Sequence, residues 1–289
     1  MGYAQRSKEM WDKEFAVPYP MPAALGEEVR QGQMAICLTR KLPKMWPKPI
    51  GDGSLTLACY GPSLKDTWQD MKRPIVSMSG SHNFLIERGV VPDFHNDMDP
   101  RNHKLSHILK PHKDVQYLMA SVCHPFTWAI LKGYNLKTWH VISGKNTRTW
   151  IEQYDPRTML VAGGSTIGLA SLHVGGMLGY RHFEIHGMDG CWKDDARHAG
   201  KHYGHEHKPI DYVLDGKTYK TSKIMMNANM ELLNMLRNFP FFAVLHGTGL
   251  QQDLIAKADL DNAAIHGTEK ADLVRTATIE YRFKKISNG

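Results

Sequence analysis

The stretch Val161–Trp192, V-A-G-G-S-T-I-G-L-A-S-L-H-V-G-G-M-L-G-Y-R-H-F-E-I-H-G-M-D-G-C-W, has the pattern of a glycine-rich turn, a helix and a buried strand that ends in a carboxylate. Gly163 and Gly164 give a turn that a ligand can approach closely, and Ser165 or Thr166 is suited to cap a helix from about Ile167 to Leu178. Unpaired N–H groups at such a helix start favour an anion. Gly179-Tyr180 closes the helix, and Phe183 and Ile185 then belong to a short buried strand that ends in Gly187-Met188-Asp189. In an open α/β sheet ligands sit outside the carboxyl ends of the strands, so Asp189 is expected to face the same crevice as the Gly163 turn. Small residues at Ala170, Ser171, Gly175 and Gly176 fit a helix packed close to the sheet.

Upstream, Ser54–Tyr60 is an apolar run of strand length followed by Gly61-Pro62-Ser63-Leu64 and a helix to about Met71. This is a second anion-ready corner, although G-P-S-L taken alone is an ordinary helix-initiating turn. Pro74–Met78 is the next strand. Ser79 at its end, with Asn83 soon after, can hydrogen-bond a ribose or base edge, and both are equally common as turn formers. A strand from Phe94 ends in Asp97 and Asp99, a D-x-D spacing that can hold a metal on donor phosphates but also arises often in solvated turns. Further strands are expected at Val115–Ala120, Lys137–Ile142 and Phe241–Leu245. A helix is expected at Pro125–Leu131, a polar loop from Gly144 to Pro156, a hairpin around Asp215-Gly216 and a helix from Lys223 to Asn238. Residues 192–207 form a loop too long for a plain connector, with histidines at 198, 202, 205 and 207. Without cysteine or H-E-x-x-H, one catalytic histidine on a mobile lid suits it better than a zinc site.

Composition bounds the classes. The 289 residues, 42% hydrophobic, suffice for one large α/β domain, and no apolar run reaches membrane-spanning length. Four scattered cysteines without a C-x-x-C pair suit a reducing cytoplasm, where the protein is expected to be soluble. A net charge of +7 and a pI near 9.1 fit a phosphate-bearing ligand, and no basic block is dense enough to favour nucleic acid. Prolines at 18, 20, 22, 43, 47 and 49 make residues 1–50 an irregular arm suited to an oligomer contact, relieved only by a strand candidate at Met34–Thr39. Residues 251–289 are a C-terminal extension. The expected architecture is therefore a Rossmann-like, mostly parallel sheet over residues 51–250 with helices on both faces.

The ordered set G61-P-S-L64, P92-D-F-H-N-D-M-D99, G163-G-S-T-I-G168 and L178-G-Y-R-H-F-E-I-H-G-M-D189 resembles the MptE-like domain, over roughly Ser54–Gly249. That family includes 6-hydroxymethylpterin diphosphokinases and motility-associated glycosyltransferases, and its corners are similar to those of bacterial sialyltransferases that use a CMP-activated sugar. The resemblance implies nucleotide contacts at Gly61, Pro62, Ser63, Gly164, Ser165 and Thr166, with Asp189 lining the pocket, where it is also a catalytic candidate. It also implies a catalytic histidine in a Y-x-G-H context. Tyr203-Gly204-His205 lacks one intervening residue, which leaves His205, His202 and His207 as candidates. Asp97 and Asp99 match the acidic strand end, where the diphosphokinase branch needs Mg2+. Three readings follow: a glycosyltransferase using a nucleotide-activated donor on a small-molecule or glycan acceptor, an ATP- and Mg2+-dependent diphosphokinase, and a non-enzymatic nucleic-acid or protein-binding module on the same fold. No Walker A lysine motif is present, which removes the P-loop kinase.

Overall fold

The computed structural model describes residues 25–141, 147–154, 160–161, 163–200, 208–238 and 241–266. Helix α1 (Glu27–Thr39) comes first, followed by strand β1 (Ser54–Ala58), the short helix α2 (Leu64–Thr67), β2 (Ile75–Met78), α3 (Ser81–Ile86) and β3 (Phe94–Asp97). A 3-10 helix spans Asn102–Ile108, and then come β4 (Gln116–Ala120), α4 (Phe126–Ile130), β5 (Asn135–Val141), α5 (Thr147–Tyr154) and β6 (Leu160–Val161). The chain continues through α6 (Ile167–Met177), β7 (His182–His186), the antiparallel hairpin β8 (Ile210–Leu214) and β9 (Lys217–Thr221), α7 (Lys223–Asn238), β10 (Phe242–His246) and α8 (Leu250–His266).

Eight strands form one sheet in the order β10-β7-β1-β2-β3-β4-β5-β6, and every pairing in it is parallel. Parallel strands are covered on both faces, so they appear in sequence as continuous apolar runs rather than alternating ones. In β1 only Ser54 is exposed, and all four residues of β2 are buried. Leu55, Leu57, Phe183 and Ile185 pack on one face against α6 and α7, through Leu169, Leu172, Leu232 and Met235. On the other face Ala58 and Ile75 meet Leu64 of α2 and Phe84 and Leu85 of α3. Gly175 is what allows α6 to lie so low: a Cβ there would meet Phe183 Cε1 at 2.6 Å and Leu55 Cδ2 at 2.9 Å.

Two sequence expectations change. The strand candidate at Met34–Thr39 is the second half of α1, within what was expected to be an irregular arm. Glu27 and Glu28 favour its first turn, and Gln33, Met34 and Cys37 are buried at helical rather than alternating spacing. The expected polar loop at 144–156 contains α5, where Ile151 is fully buried and Trp150 lies against Tyr154. Beyond α1 the chain passes β5 and then the end of α6, with Met45 N–H donating to Thr138 O (2.8 Å) and Lys48 N–H to Met177 O (2.8 Å). The hairpin and α8 are stapled by Lys217–Asp253 (2.9 Å), Lys257–Asp215 (2.8 Å) and the Tyr219 hydroxyl on Asp253. No helix among the described residues is long and apolar enough to cross a membrane.

Candidate functional site

β1 has β2 on one side and β7 on the other, and the chain reaches β7 only after laying down β2 to β6, so the topology reverses beside β1. A crevice opens at such a point, outside the carboxyl ends of the strands. Here those ends are Cys59-Tyr60-Gly61 and Gly187-Met188-Asp189, tied by Cys59 N–H to His186 O and Gly61 N–H to Gly187 O, both 2.8 Å. The two backbones touch. Gly187 has φ +69°, and a Cβ there would meet the Cys59 carbonyl oxygen at 2.7 Å. Gly187→Ala is therefore expected to destabilise the protein by about 2 kcal/mol or more, from left-handed strain and a backbone clash together, as measured by denaturant unfolding.

Asp189 does meet the Gly61 corner, but as its partner. Its carboxylate accepts from Ser63 N–H at 2.8 Å and from the Ser63 hydroxyl, and the residue is 3% exposed. Pro62 has no N–H, and Leu64 N–H turns back to Gly61 O at 3.2 Å. The anion at this helix start is thus the protein's own. Burial pushes the Asp189 carboxyl above the ordinary range, while the Ser63 and Gln252 hydrogen bonds and the Lys193 charge pull the other way.

The second corner lies alongside. Gly168, in the first turn of α6, leaves room for Met188 Cε and Cys59 Sγ, which a Cβ would meet at 2.7 and 3.3 Å, so α6 starts over the ends of β1 and β7. Gly163 is closed against Val141 and Met98, Gly164 has φ +69°, and Thr166 is the N-cap, its hydroxyl accepting from Leu169 N–H at 3.4 Å. Ser165 N–H donates to Glu231 Oε2 of α7 at 2.9 Å, and the buried Ser165 hydroxyl has no hydrogen-bond partner. Glu231 is a candidate site residue that the sequence did not mark, because 66 residues separate it from Ser165 and nothing local distinguishes it.

At the end of β2, Ser79 is a non-glycine residue at φ +53° whose hydroxyl meets His107 Nδ1 at 3.0 Å. Asn83 Nδ2 donates to Ser106 O at 2.8 Å, so both residues expected to face a ribose also hold the 3-10 helix at 102–108. The described part of the 192–207 loop lies against the chain that follows β1. Ala199 N–H donates to Tyr60 O at 3.0 Å, His198 stacks on the Tyr60 ring at 5.6 Å, and Lys193 pairs with Asp66 at 2.8 Å. His202, His205 and His207 lie outside the described residues.

Residues 52–195, which carry both corners and the end of β7, match the family model described as 6-hydroxymethylpterin diphosphokinase MptE-like. The chain is a member of the MptE-like family. No curated protein sequence matches it. Among solved structures it is similar to the MAf glycosyltransferase from Magnetospirillum magneticum AMB-1, at 13% identity and a TM-score of 0.58, over 86% of this chain. At that identity the likeness is one of fold, and it spans only 42% of the other chain. Glu231, α7 and α8 lie beyond the MptE-like match.

The acidic strand end of this MptE-like domain is arranged for its own loop. Asp97 Oδ1 accepts from Met98 N–H (2.7 Å) and Asp99 N–H (3.0 Å). Asp99 grips the Arg101 guanidinium through two bonds, Nε at 2.8 Å and Nη2 at 2.5 Å, and accepts the Arg101 backbone N–H at 3.1 Å. A bidentate guanidinium leaves Asp99 poorly placed as a metal ligand, and among the described residues no three His, Cys, Asp or Glu side chains converge in a metal-holding group. The pair does not fit Mg2+ in this arrangement.

Proposed function

We propose that this MptE-like protein is a transferase that takes its group from a nucleotide-activated donor, and that the group is glycosyl. The observation that carries the reading is the start of α6 at the topological reversal, where an N–H and an unpartnered buried hydroxyl belong to the same residue, Ser165. A donor phosphate there would take the seat now held by the half-buried Glu231 carboxylate and would satisfy the hydroxyl as well. Gly163, Gly164 and Thr166 shape that seat. The Gly61-Pro62-Ser63 corner with Asp189 forms the opposite wall, and the end of β2 at Ser79 and Asn83 is offered to the ribose or base. His202, His205 or His207, of the 192–207 loop, would supply the acid or base for the leaving group and the acceptor hydroxyl. Support comes from the family and from the shared fold with a glycosyltransferase. The diphosphokinase reading draws on the family description but needs a metal seat that Asp97 and Asp99 do not offer as they stand.

Thermal melting with CMP, CDP, UDP, GDP and ATP, each with and without Mg2+, tests this. A ligand at 100 times its Kd adds about 2.7 kcal/mol of stability, a readily measured shift. Stabilisation by CMP or another nucleoside mono- or diphosphate without metal is expected. A shift with ATP only when Mg2+ is added would favour diphosphoryl transfer, and no shift with any nucleotide would sink both enzyme readings in favour of a binding module.

A further inference from the structure

We propose that Ser79 is a nucleophilic serine activated by His107, able to accept an acyl group from a carboxylic ester. β2 passes into α3 through only two residues, and the first of them, Ser79, is held at φ +53°, a conformation that side chains other than glycine adopt at a cost of order 1 kcal/mol. The turn is fixed from three directions. The Ser81 hydroxyl accepts from Met78 N–H at 2.9 Å and lies 2.6 Å from Ala58 O, the Tyr60 ring closes over Gly80 where a Cβ would collide with it, and Asn83 ties α3 to Ser106. The strain therefore serves to hold the Ser79 hydroxyl at the carboxyl end of the sheet. A serine on a sharp, strained strand-to-helix turn is the arrangement by which many α/β enzymes present a nucleophile.

The partner has the right chemistry. His107 Nδ1 lies 3.0 Å from Ser79 Oγ, hydrogen-bond distance for a base, and the ring is 1% exposed while Ser79 itself is only half-buried. Asn83 fixes the base indirectly, since its 2.8 Å bond is to the residue preceding His107. In the step, Ser79 Oγ forms a bond to the ester carbonyl carbon as its proton passes to His107 Nδ1. Collapse of the tetrahedral adduct breaks the bond to the leaving alcohol, which takes that proton. Water then repeats the sequence and releases the acid. The phosphate seat at Ser165 takes no part in this, but the Ser79 hydroxyl is also the group offered to the donor's ribose or base, so an acyl group on Ser79 and a bound donor would compete for that end of the crevice.

Treating the full chain with a fluorophosphonate probe tests it: the Ser79 Oγ–phosphorus bond forms and hydrogen fluoride leaves. One adduct is expected by intact mass, mapped to the peptide containing Ser79, absent from Ser79→Ala, and formed at least tenfold more slowly in His107→Asn, whose amide can keep the 3.0 Å contact without acting as a base. Ser79→Gly, which suits the positive φ, is expected to fold and stay unlabelled, so loss of labelling is not loss of structure. No adduct at Ser79, an adduct that persists in both Ser79 variants, or wild-type labelling of a folded His107→Asn protein would overturn the proposal. Nucleotide stabilisation without labelling removes this inference alone, and labelling without nucleotide stabilisation removes only the proposed function.

Discussion

Asp189→Ala is expected to lower stability by about 3 kcal/mol and the melting temperature by roughly 5–10 °C, because it leaves two buried donors of Ser63 without an acceptor. A mean surface substitution changes stability by no more than about 0.5 kcal/mol, so the two roles open to Asp189 separate clearly. If the carboxylate merely lined a pocket, the variant would melt like wild type, or higher once the unfavourable burial was relieved. One that pins the Gly61 corner to the end of β7 must cost stability. Asp189 is held from behind as well, since its carbonyl accepts Gln251 N–H at 3.0 Å and a Cβ on Gly249 would meet its Cα at 3.0 Å. Asp189→Asn keeps one acceptor oxygen and should lose about half as much. Melting of the alanine variant within about 1 °C of wild type would show that the Ser63 contact is not formed in solution. Loss of nucleotide stabilisation in a folded alanine variant is expected as well, because the carboxylate holds the Gly61 corner in place.

This shift in the meaning of Asp189 marks where sequence reading stopped. β1, β2, β4, β5 and β7 were legible as apolar runs because parallel strands inside a sheet are covered on both faces, the edge strand β10 was legible from its apolar composition although it is only half-buried, and α6 was legible from its small residues and its Thr166 cap. Both corners were legible because a glycine turn and a helix start are local events. What each corner donates to was not. Ser63 and Asp189 are 126 residues apart, Ser165 and Glu231 66, and Ser79 and His107 28, and no local pattern encodes such pairs. The same locality explains α1. Residues 34–38 are a short run of apolar side chains, M-A-I-C-L, which fits strand or helix alike, and the choice is made by the acidic first turn seven residues upstream and by the site on the core that Met34 and Cys37 fill. The anion-ready corners therefore read correctly as geometry and incompletely as chemistry: the protein supplies a carboxylate to each, buried and doubly bonded at Ser63, half-buried and singly bonded at Ser165.

Acidification from pH 7 to 5 is expected to destabilise the fold steeply, with little change between pH 7 and 8. His82 and His186 are held down to about 4 and His95 well below the ordinary range, in each case chiefly by burial. Neighbouring imidazoles add to this: His112 for His82, His82 and His107 for His95, and the stacked His246, 4.2 Å away, for His186. Working against burial are the Asn83 hydrogen bond at His82 and, at His186, the Glu184 and Asp70 charges and the Thr67 carbonyl. Unfolded imidazoles titrate near 6.5, so between about 6.5 and 4 the unfolded chain binds protons that the folded chain refuses. Stability is therefore full above pH 6.5 and is lost as the pH falls through that window, by about 3 kcal/mol at pH 4 from His82 alone. Asp189 works the other way, because its raised carboxyl protonates in the folded state first, but it is one group against three. Melting temperatures across pH 5 to 8 measure the slope, and His82→Asn should flatten it; an unchanged melting temperature from pH 7 to 5 would refute the assignment. The window also governs how the nucleotide experiment is read, since below pH 6.5 a missing shift reports a weakened fold, and only above it does it report on the seat at Ser165.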